Sequence, residues 1–93
     1  MEPQTQPPGY RITLRPAAEL FLRKLRDANL GRRIDEAITD LGAQPRPPGA
    51  KMLSGHEQIW RIRVGHYRIL YQIDDSSRLI RIAQIGHRRE IYR

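Results

Sequence analysis

The chain contains no cysteine, so disulfide bonds and thiolate chemistry are excluded. No segment approaches the ~18 consecutive apolar residues that a membrane-spanning helix needs. Acidic residues are scarce, because ten Asp and Glu stand against seventeen Lys and Arg, and the net charge is +7. A basic excess of this size favours a polyanionic partner. The lack of cysteine fits a reducing compartment, and we expect a cytoplasmic location.

The N-terminal stretch MEPQTQPPG has no apolar run after a basic start, so we do not interpret it as a signal peptide. We predict a disordered arm over residues 1–9 and a single domain over residues 10–93. The basic residues are distributed through segments that have helix or strand periodicity, which predicts an ordered basic surface. No predicted helix combines a basic face with large apolar side chains, so we expect no membrane partner.

Two helices are predicted after a short strand at residues 10–14. Pro16 suits the first turn of a helix that runs to about Ala28, and a second helix runs from about Arg32 to Leu41. Asn29 and Gly31 are the expected stop residues between them. Each helix carries one apolar stripe that we interpret as core. The stripes consist of Ala18, Phe21, Leu22 and Leu25, and of Ile34, Ala37, Ile38 and Leu41.

The second half of the chain has the two-residue period of strands. Residues 44–50 form a proline-rich loop, and residues 51–57 an irregular approach. The segments QIWRIRV, YRILYQI and RLIRIAQI then predict three strands, of which the first two are joined at Gly65-His66. The order β-α-α-β-β-β predicts an α+β domain in which a helical hairpin packs on an antiparallel sheet.

A two-residue turn at Gly65-His66 sets the strand register and thereby sorts side chains between the two sheet faces. The pairs are Val64 with Tyr67, Arg63 with Arg68, Ile62 with Ile69, and Trp60 with Tyr71. The aromatic and aliphatic members share the core face, and Arg61, Arg63 and Arg68 lie on the other. A tight turn at Asp75-Ser76 would pair Leu70 with Arg81 and add Arg81 to the arginines.

Arg63 facing Arg68 is not a stabilising arrangement, because like charges directly opposite each other destabilise a sheet. One interpretation is that the long side chains splay apart and cover the sheet with their stems. The other is that converging guanidinium groups bind phosphate.

The closing segment IGHRREIYR, at residues 85–93, is expected to fold back over the arginines. His87, Arg88, Arg89 and Tyr92 would then complete a basic pocket. Tyr92 offers a ring on which an unpaired base can stack. The imidazole of His87 is the side chain there that ordinarily titrates near neutrality.

The sequence resembles the RelE superfamily of bacterial toxins from about Tyr10 to Arg93. The resemblance is carried by KMLSG at 51–55, WRIRVGHYRILYQID at 60–74 and IGHRREIYR at 85–93. It implies a microbial ribonuclease-like fold and the toxin of a type II toxin–antitoxin pair. Such toxins cut messenger RNA in the ribosomal A site by attack of a 2′-OH on the adjacent phosphorus, without metal or cofactor. The implied partners are a co-encoded antitoxin, the ribosome and mRNA.

The resemblance also implies site residues. The implied catalytic residues are Arg61, Arg63, Arg68, Arg88 and Tyr92. We add His87 as a further catalytic candidate, and Lys51, Arg81 and Arg89 as RNA-binding candidates. Many relatives have lysine at the positions of Arg61 and Arg63. Because arginine does not give up its proton, we interpret these two as phosphate clamps, and the base as His87 first or Tyr92 second.

Two other functions fit parts of the pattern. A ParE-like toxin shares the fold but acts on DNA gyrase and cuts nothing. Such relatives usually have a longer helix pair and lack the arginine–tyrosine set. A non-enzymatic RNA-binding module would need only the basic face, and its affinity would fall steeply as salt rises.

Overall fold

The computed structural model describes residues 9–53 and 58–91, and within the last helix its side chains only as far as Arg89. Most of the expected N-terminal arm and Tyr92 therefore lie outside the described residues. No helix in these two ranges is long and apolar enough to cross a membrane. The elements of the described part are β1 (Arg11–Leu14), α1 (Pro16–Lys24), α2 (Ala28–Ala43), β2 (Lys51–Met52), β3 (Ile59–Val64), β4 (Tyr67–Asp74), β5 (Leu79–His87) and α3 (Arg88–Ile91).

The strands form one sheet in the order β1-β5-β4-β3-β2. β3, β4 and β5 make the predicted antiparallel meander, and β2 adds an antiparallel edge to β3. β1 pairs with β5 in parallel, because α1 and α2 carry the chain away before it returns to the sheet. The predicted α+β fold is thus confirmed, although the sheet is mixed. Lys51 and Met52 form a strand where an irregular approach was expected.

The break between the two helices lies earlier than the sequence pattern indicates. α1 ends at Lys24 and α2 begins at Ala28, so the predicted boundaries at residues 28 and 32 were wrong. The cause is Asp27, whose carboxylate accepts a hydrogen bond of 3.0 Å from the Leu30 N–H and caps α2. The expected stop residues, Asn29 and Gly31, consequently lie inside α2.

The core lies between the helices and one face of the sheet. The interpretation of the helical stripes as core is confirmed, because Ala18, Ile34, Ile38 and Leu41 are buried and the other four stripe residues pack against them. From the sheet come the buried side chains Ile62, Val64, Ile69, Tyr71, Ile80, Ile82 and Ile85. Burying this apolar surface is the main stabilising contribution to a domain of this size.

The β3–β4 hairpin has the predicted register throughout, from Val64 opposite Tyr67 to Trp60 opposite Tyr71. Gly65 has a positive φ of 61° at the first turn position, where a two-residue hairpin of type II′ favours glycine. The face of each β3 and β4 side chain follows from this register.

The link between β4 and β5 differs from the expectation. Asp74 pairs with Leu79, so four residues form the link, and Arg81 lies opposite Gln72. The predicted pairing of Leu70 with Arg81 was wrong because the turn is longer than assumed. The error amounts to two residues, which preserves the alternation of faces, and Arg81 remains on the side of the arginines.

A β-bulge in β5 changes the alternation further along. Tyr71 pairs with Ile82 and Leu70 pairs with Gln84, so Ala83 is the extra residue. Beyond the bulge, Ile85 faces the core and Gly86 lies opposite Arg68. The last residue of the strand, His87, is opposite Tyr67.

Candidate nucleic-acid interface

Cations are concentrated on the side of the sheet that faces away from α1 and α2. We call this side the arginine face. Cross-strand pairing places its members in adjacent rows, with Lys51 opposite Arg61, Arg63 opposite Arg68, and Thr13 opposite Arg81. Its cations are Lys51, Arg61, Arg63, Arg68 and Arg81 from β2–β5, and Arg11 from β1.

An acidic side chain stands at one end of the arginine face. Asp74, the last residue of β4, accepts hydrogen bonds from the Ser76 hydroxyl and the Ser77 N–H. Hydrogen bonds from the side chain and N–H of Ser77, and from Ser76, lower the pKa of its carboxyl group. Asp74 thus stabilises the β4–β5 turn, at the opposite end of β4 from Arg68.

Arg61 is the most buried cation of the arginine face, with 8% of its surface exposed. It lies in the middle of β3, between Lys51 on one side and Leu70 on the other. Its Nε has no hydrogen-bond acceptor within the part of the chain that the structure describes. Burying an unsatisfied donor of a charged group is costly, so this nitrogen lowers the stability of the fold.

Arg63 and Arg68 lie next to the hairpin turn. Arg63 is exposed and Arg68 is half-buried. On its other side Arg68 is opposite Gly86, which is itself buried. Arg63 is therefore the more accessible of the two arginines to a ligand.

His87 is not on the arginine face, and the expectation that it would lie there was wrong. The bulge at Ala83 turns it toward the helices. Its ring makes an edge contact with Tyr67, with ring centroids 5.4 Å apart, and Tyr67 in turn contacts Phe21 of α1 at 5.9 Å. The Nδ1 of His87 accepts a hydrogen bond of 3.2 Å from the Arg89 N–H.

The rest of the closing segment begins at the hairpin end of the sheet. Arg88 and Arg89 are exposed and open α3. The Arg88 N–H donates a 3.0 Å hydrogen bond to the His66 carbonyl in the turn. Arg88 therefore lies at the same end of the sheet as Arg63 and Arg68. Tyr92 falls outside the described residues.

Two cationic or titratable groups near the turn were not singled out from the sequence. The ring of His66 lies 6.2 Å from that of His87, between centroids. The guanidinium of Arg33, on α2, reaches the turn, where its Nη2 lies 3.7 Å from the position that a Cβ of residue 65 would occupy. The predicted turn contains His66, although no role was predicted for it, whereas the approach of Arg33 depends on how α2 packs.

A cavity of about 470 Å³ opens at the edge of β3, beyond the short strand β2. Its walls come from α2, from the proline loop and from β3. The lining residues are Ala37 and Asp40 on α2, Pro47, Pro48 and Gly49 in the loop, and Lys51, Arg61, Ile62 and Arg63 on the strands. Two arginines of the arginine face thus also line this cavity.

The proline loop is held in place at several points. The Ala50 N–H donates to the Pro47 carbonyl at 3.0 Å, and Gly49 has a φ of +91°, as a type II turn requires. The buried hydroxyl of Tyr71 donates to the Pro45 carbonyl at 2.7 Å. Burial raises the pKa of Tyr71 to about 12.

Arg46 anchors the same loop to the β4–β5 turn. Its Nη2 lies 2.9 Å from Asp75 Oδ2, and its guanidinium lies 5.2 Å from the centroid of the Trp60 ring. Tyr10 also donates to Asp75, at 2.6 Å. The hydrogen bonds from Arg46 and Tyr10 lower the pKa of the Asp75 carboxyl group. One wall of the cavity is therefore built before any ligand arrives.

The fold and the arginine face together define a small α+β protein with a basic sheet surface. The family model for the ParE toxin of the type II toxin-antitoxin system, parDE, matches residues 12–92. The chain belongs to this family, within the RelE/ParE superfamily of toxins. Toxin RelG of Mycobacterium tuberculosis is 31% identical over 84 residues, which cover 90% of this chain and 97% of that protein.

Solved structures of the superfamily have the same architecture. The archaeal RelE–RelB complex from Pyrococcus horikoshii contains a chain that is 26% identical, with a TM-score of 0.74 over 87% of this chain and 97% of that one. The toxin–antitoxin complex RelBE2 from M. tuberculosis contains one that is 28% identical, with a TM-score of 0.71 over 85% and 98%. Isolated RelE from E. coli, at 23% identity and a TM-score of 0.73 over 89% and 90%, supports the fold alone.

Proposed function

We propose that this toxin is an endoribonuclease that cuts messenger RNA in the A site of the ribosome. The observation that supports the proposal most strongly is the arginine face, where the β3–β4 register places Arg61, Arg63 and Arg68 on one side of the sheet, with Arg63 directly opposite Arg68. Such an arrangement lowers the stability of the sheet, which argues for a role in binding an anion. RNA phosphates are anions of the right geometry for guanidinium groups.

The proposed reaction is attack by a ribose 2′-OH on the phosphorus that follows it. The 2′-oxygen loses a proton and bonds to phosphorus, and the bond to the 5′-oxygen of the next nucleotide breaks. The products are a 2′,3′-cyclic phosphate and a free 5′-OH. The protein must take up one proton, stabilise charge on the phosphate oxygens, and return one proton to the leaving oxygen.

Arg61, Arg63 and Arg68 carry the electrostatic part of this mechanism. Arg61 is buried, so its guanidinium charge lies in a site that is largely desolvated. A donor held in a site of low dielectric interacts more strongly with developing charge than the same donor in water. Arg63 and Arg68, beside Gly86, contact the phosphate from the hairpin end. Lys51, Arg81 and Arg89 bind flanking phosphates.

Proton transfer is assigned to Tyr92, with Arg88 nearby in sequence. His87 was ranked first from the sequence, but it lies against Tyr67 on the side of the helices. Tyr92 follows Arg88 by four residues, and Arg88 is bonded to the hairpin turn beside Arg63 and Arg68. Nearby guanidinium groups stabilise a tyrosinate and thereby favour its action as a base.

The proposed partners are a cognate antitoxin, the ribosome and mRNA, in the cytoplasm. Relatives of known structure occur in complexes with RelB antitoxins, which supports an antitoxin partner here. A surface with a net charge of +7 suits an acidic antitoxin segment as well as ribosomal RNA.

The decisive experiment is primer extension on messages from a translating extract. The wild-type chain should produce discrete cuts within codons, and Arg68→Ala and Arg88→Ala should abolish them while the circular dichroism spectrum is retained. The matched control is Arg23→Ala, which removes an exposed arginine from α1. Full cleavage by the two site variants would contradict the proposal.

The alternative is a ParE-like toxin that inhibits DNA gyrase, and the matching family model is that of ParE. A supercoiling assay with purified gyrase separates the two. Inhibition of gyrase without cuts in mRNA would establish the alternative. Loss of supercoiling inhibition should then not follow the Arg68→Ala substitution.

A further inference from the structure

The cavity beside β3 combines features that the phosphate site alone does not require. Arg61, which is buried, and Arg63, which is exposed, line it from the strand. Pro47 and Pro48 line the opposite wall, and Ile62 adds an apolar surface. Ligand cavities of ~300–1,000 Å³ with apolar walls and a few polar groups are typical small-molecule sites. The volume here, about 470 Å³, falls in that range.

Asp40 is the acid among the described residues that line this cavity. It projects from the last part of α2, one helical turn after Ala37, which also lines the cavity. Its carboxylate makes no hydrogen bond or ion pair with any other residue in the part of the chain that the structure describes. Both carboxylate oxygens are therefore available as acceptors, in a cavity that Arg61 and Arg63 also line.

We propose that this cavity is a subsite for a guanine base, with Asp40 as the residue that determines base specificity. This inference rests on the proposed ribonuclease function. A ribonucleotide bound here would place its phosphate at Arg61 and Arg63, its base between the proline loop and Ile62, and the edge of the base at Asp40. The anchored type II turn of the loop keeps the wall in position.

Guanine is selected by the pattern of hydrogen-bond donors. Its Watson–Crick edge carries two adjacent donors, N1–H and the 2-amino group, which match the two oxygens of a carboxylate. Adenine and cytosine each place an acceptor beside their amino group, and uracil places its N–H between two carbonyl oxygens. Unpaired bases in RNA are commonly read along this edge.

The first test is binding of free nucleotides to the full chain, which requires no RNA cleavage. We would titrate 5′-GMP, 5′-AMP, 5′-CMP and 5′-UMP and follow the amide resonances of Gly49, Arg61 and Arg63. GMP should bind more tightly than the other three nucleotides. Asp40→Asn should weaken GMP binding by roughly ten- to a hundredfold, the range for one lost bidentate contact to a base. The affinity for AMP should not fall.

The matched control is Asp35→Asn, which removes an exposed carboxylate from the same helix outside the cavity. It should leave GMP binding unchanged, and the amide spectra of both variants should confirm that they fold. Equal binding of the four nucleotides, or the same GMP affinity in Asp40→Asn, would overturn the guanine subsite.

The second test compares cut positions by sequencing the 5′-OH ends of cleaved messages. The wild-type chain should cut next to guanine, and Asp40→Asn should cut with a weaker preference. If the chain binds GMP through Asp40 but cuts no message, the guanine subsite is supported and the proposed ribonuclease function is refuted. A chain that cuts without regard to guanine would retain the ribonuclease and refute the subsite.

Discussion

Arg63 and Arg68 face each other directly across β3 and β4, in the pair next to the hairpin turn. Like charges directly opposite each other on neighbouring strands repel, so this pair concentrates positive charge at a cost in folding stability.

Replacing Arg63 with glutamine should therefore stabilise the fold. The expected gain in the free energy of unfolding is about 0.2–1 kcal/mol, the usual range for a cross-strand pair. Because salt screens the repulsion, the gain should shrink as ionic strength rises. Urea denaturation at low and high salt measures both effects. The control Arg23→Gln should show neither, and a loss of stability in Arg63→Gln would contradict the interpretation.

Tyr71→Phe should destabilise the domain at neutral pH. The hydroxyl donates to the Pro45 carbonyl, and its removal leaves a part-buried acceptor unsatisfied. The expected loss is about 1–2 kcal/mol in urea denaturation. An unchanged free energy of unfolding would mean that water replaces the lost donor.

The same tyrosine should make the folding stability of the wild-type protein fall at alkaline pH. Burial raises the pKa of Tyr71 to about 12, so the folded state holds this proton more tightly than the unfolded chain, whose tyrosine has a pKa near 10. The resulting stability is complete below pH 10 and is lost as the pH rises toward 12. The difference in stability between wild type and Tyr71→Phe should narrow over this interval, which denaturation at pH 9 and pH 11 would measure.

Asp75→Asn should lower the thermal midpoint at pH 7 and have little effect near pH 2–3. Hydrogen bonds from Arg46 and Tyr10 hold the pKa of Asp75 below its usual value. The depressed pKa means that the stabilising contribution is present above the unfolded pKa and disappears as pH falls through the folded pKa. Thermal scans at both pH values test this. If the thermal midpoint of Asp75→Asn is still lower than that of the wild type at low pH, the amide disturbs the loop by other means.

Asp27→Ala should cost about 1 kcal/mol of stability, because the cap of α2 is lost. Asp35→Ala, at an exposed position within the same helix, is the matched control and should cost less. Chemical denaturation of the two variants provides the comparison. Equal costs would show that the Asp27 carboxylate contributes nothing beyond an exposed acid.

Single-turnover cleavage should distinguish the two candidates for the base. Tyr92→Phe should lower the rate by the ~10²–10⁴-fold typical of a lost general acid or base. His87→Gln should lower it by less than ~10-fold, because its ring contacts Tyr67 and not the arginine face. The opposite ranking would restore His87 to the role that the sequence first suggested.

Local rules predicted those parts of the molecule that depend on alternation and short turns. The β3–β4 register follows from Gly65-His66, and with it the common face of Arg61, Arg63 and Arg68. The helix break was misplaced because glycine and asparagine were given more weight as stop signals than Asp27 was given as a cap. Arg81 was assigned to the correct face with an incorrect partner, because an error of two residues preserves the face.

Packing-dependent features were beyond the reach of the sequence. The parallel pairing of β1 with β5 depends on how the helices lie on the sheet. The cavity at Asp40 exists because β2 is only two residues long and leaves the end of β3 next to α2. The sheet face on which His87 lies depends on the β-bulge, and no glycine, proline or other turn residue in the sequence predicts that bulge.

The extra residue at position 83 has a consequence for insertions and deletions among relatives. A homologue that lacks this residue would have a regular β5 and still direct its last isoleucine inward. A single deletion between the bulge and the end of β5 would instead exchange the faces on which the last residues lie. The imidazole of His87 would then lie among the guanidinium groups, and Gly86 would face the core. Gaps of one residue in this strand should accordingly collect at the bulge.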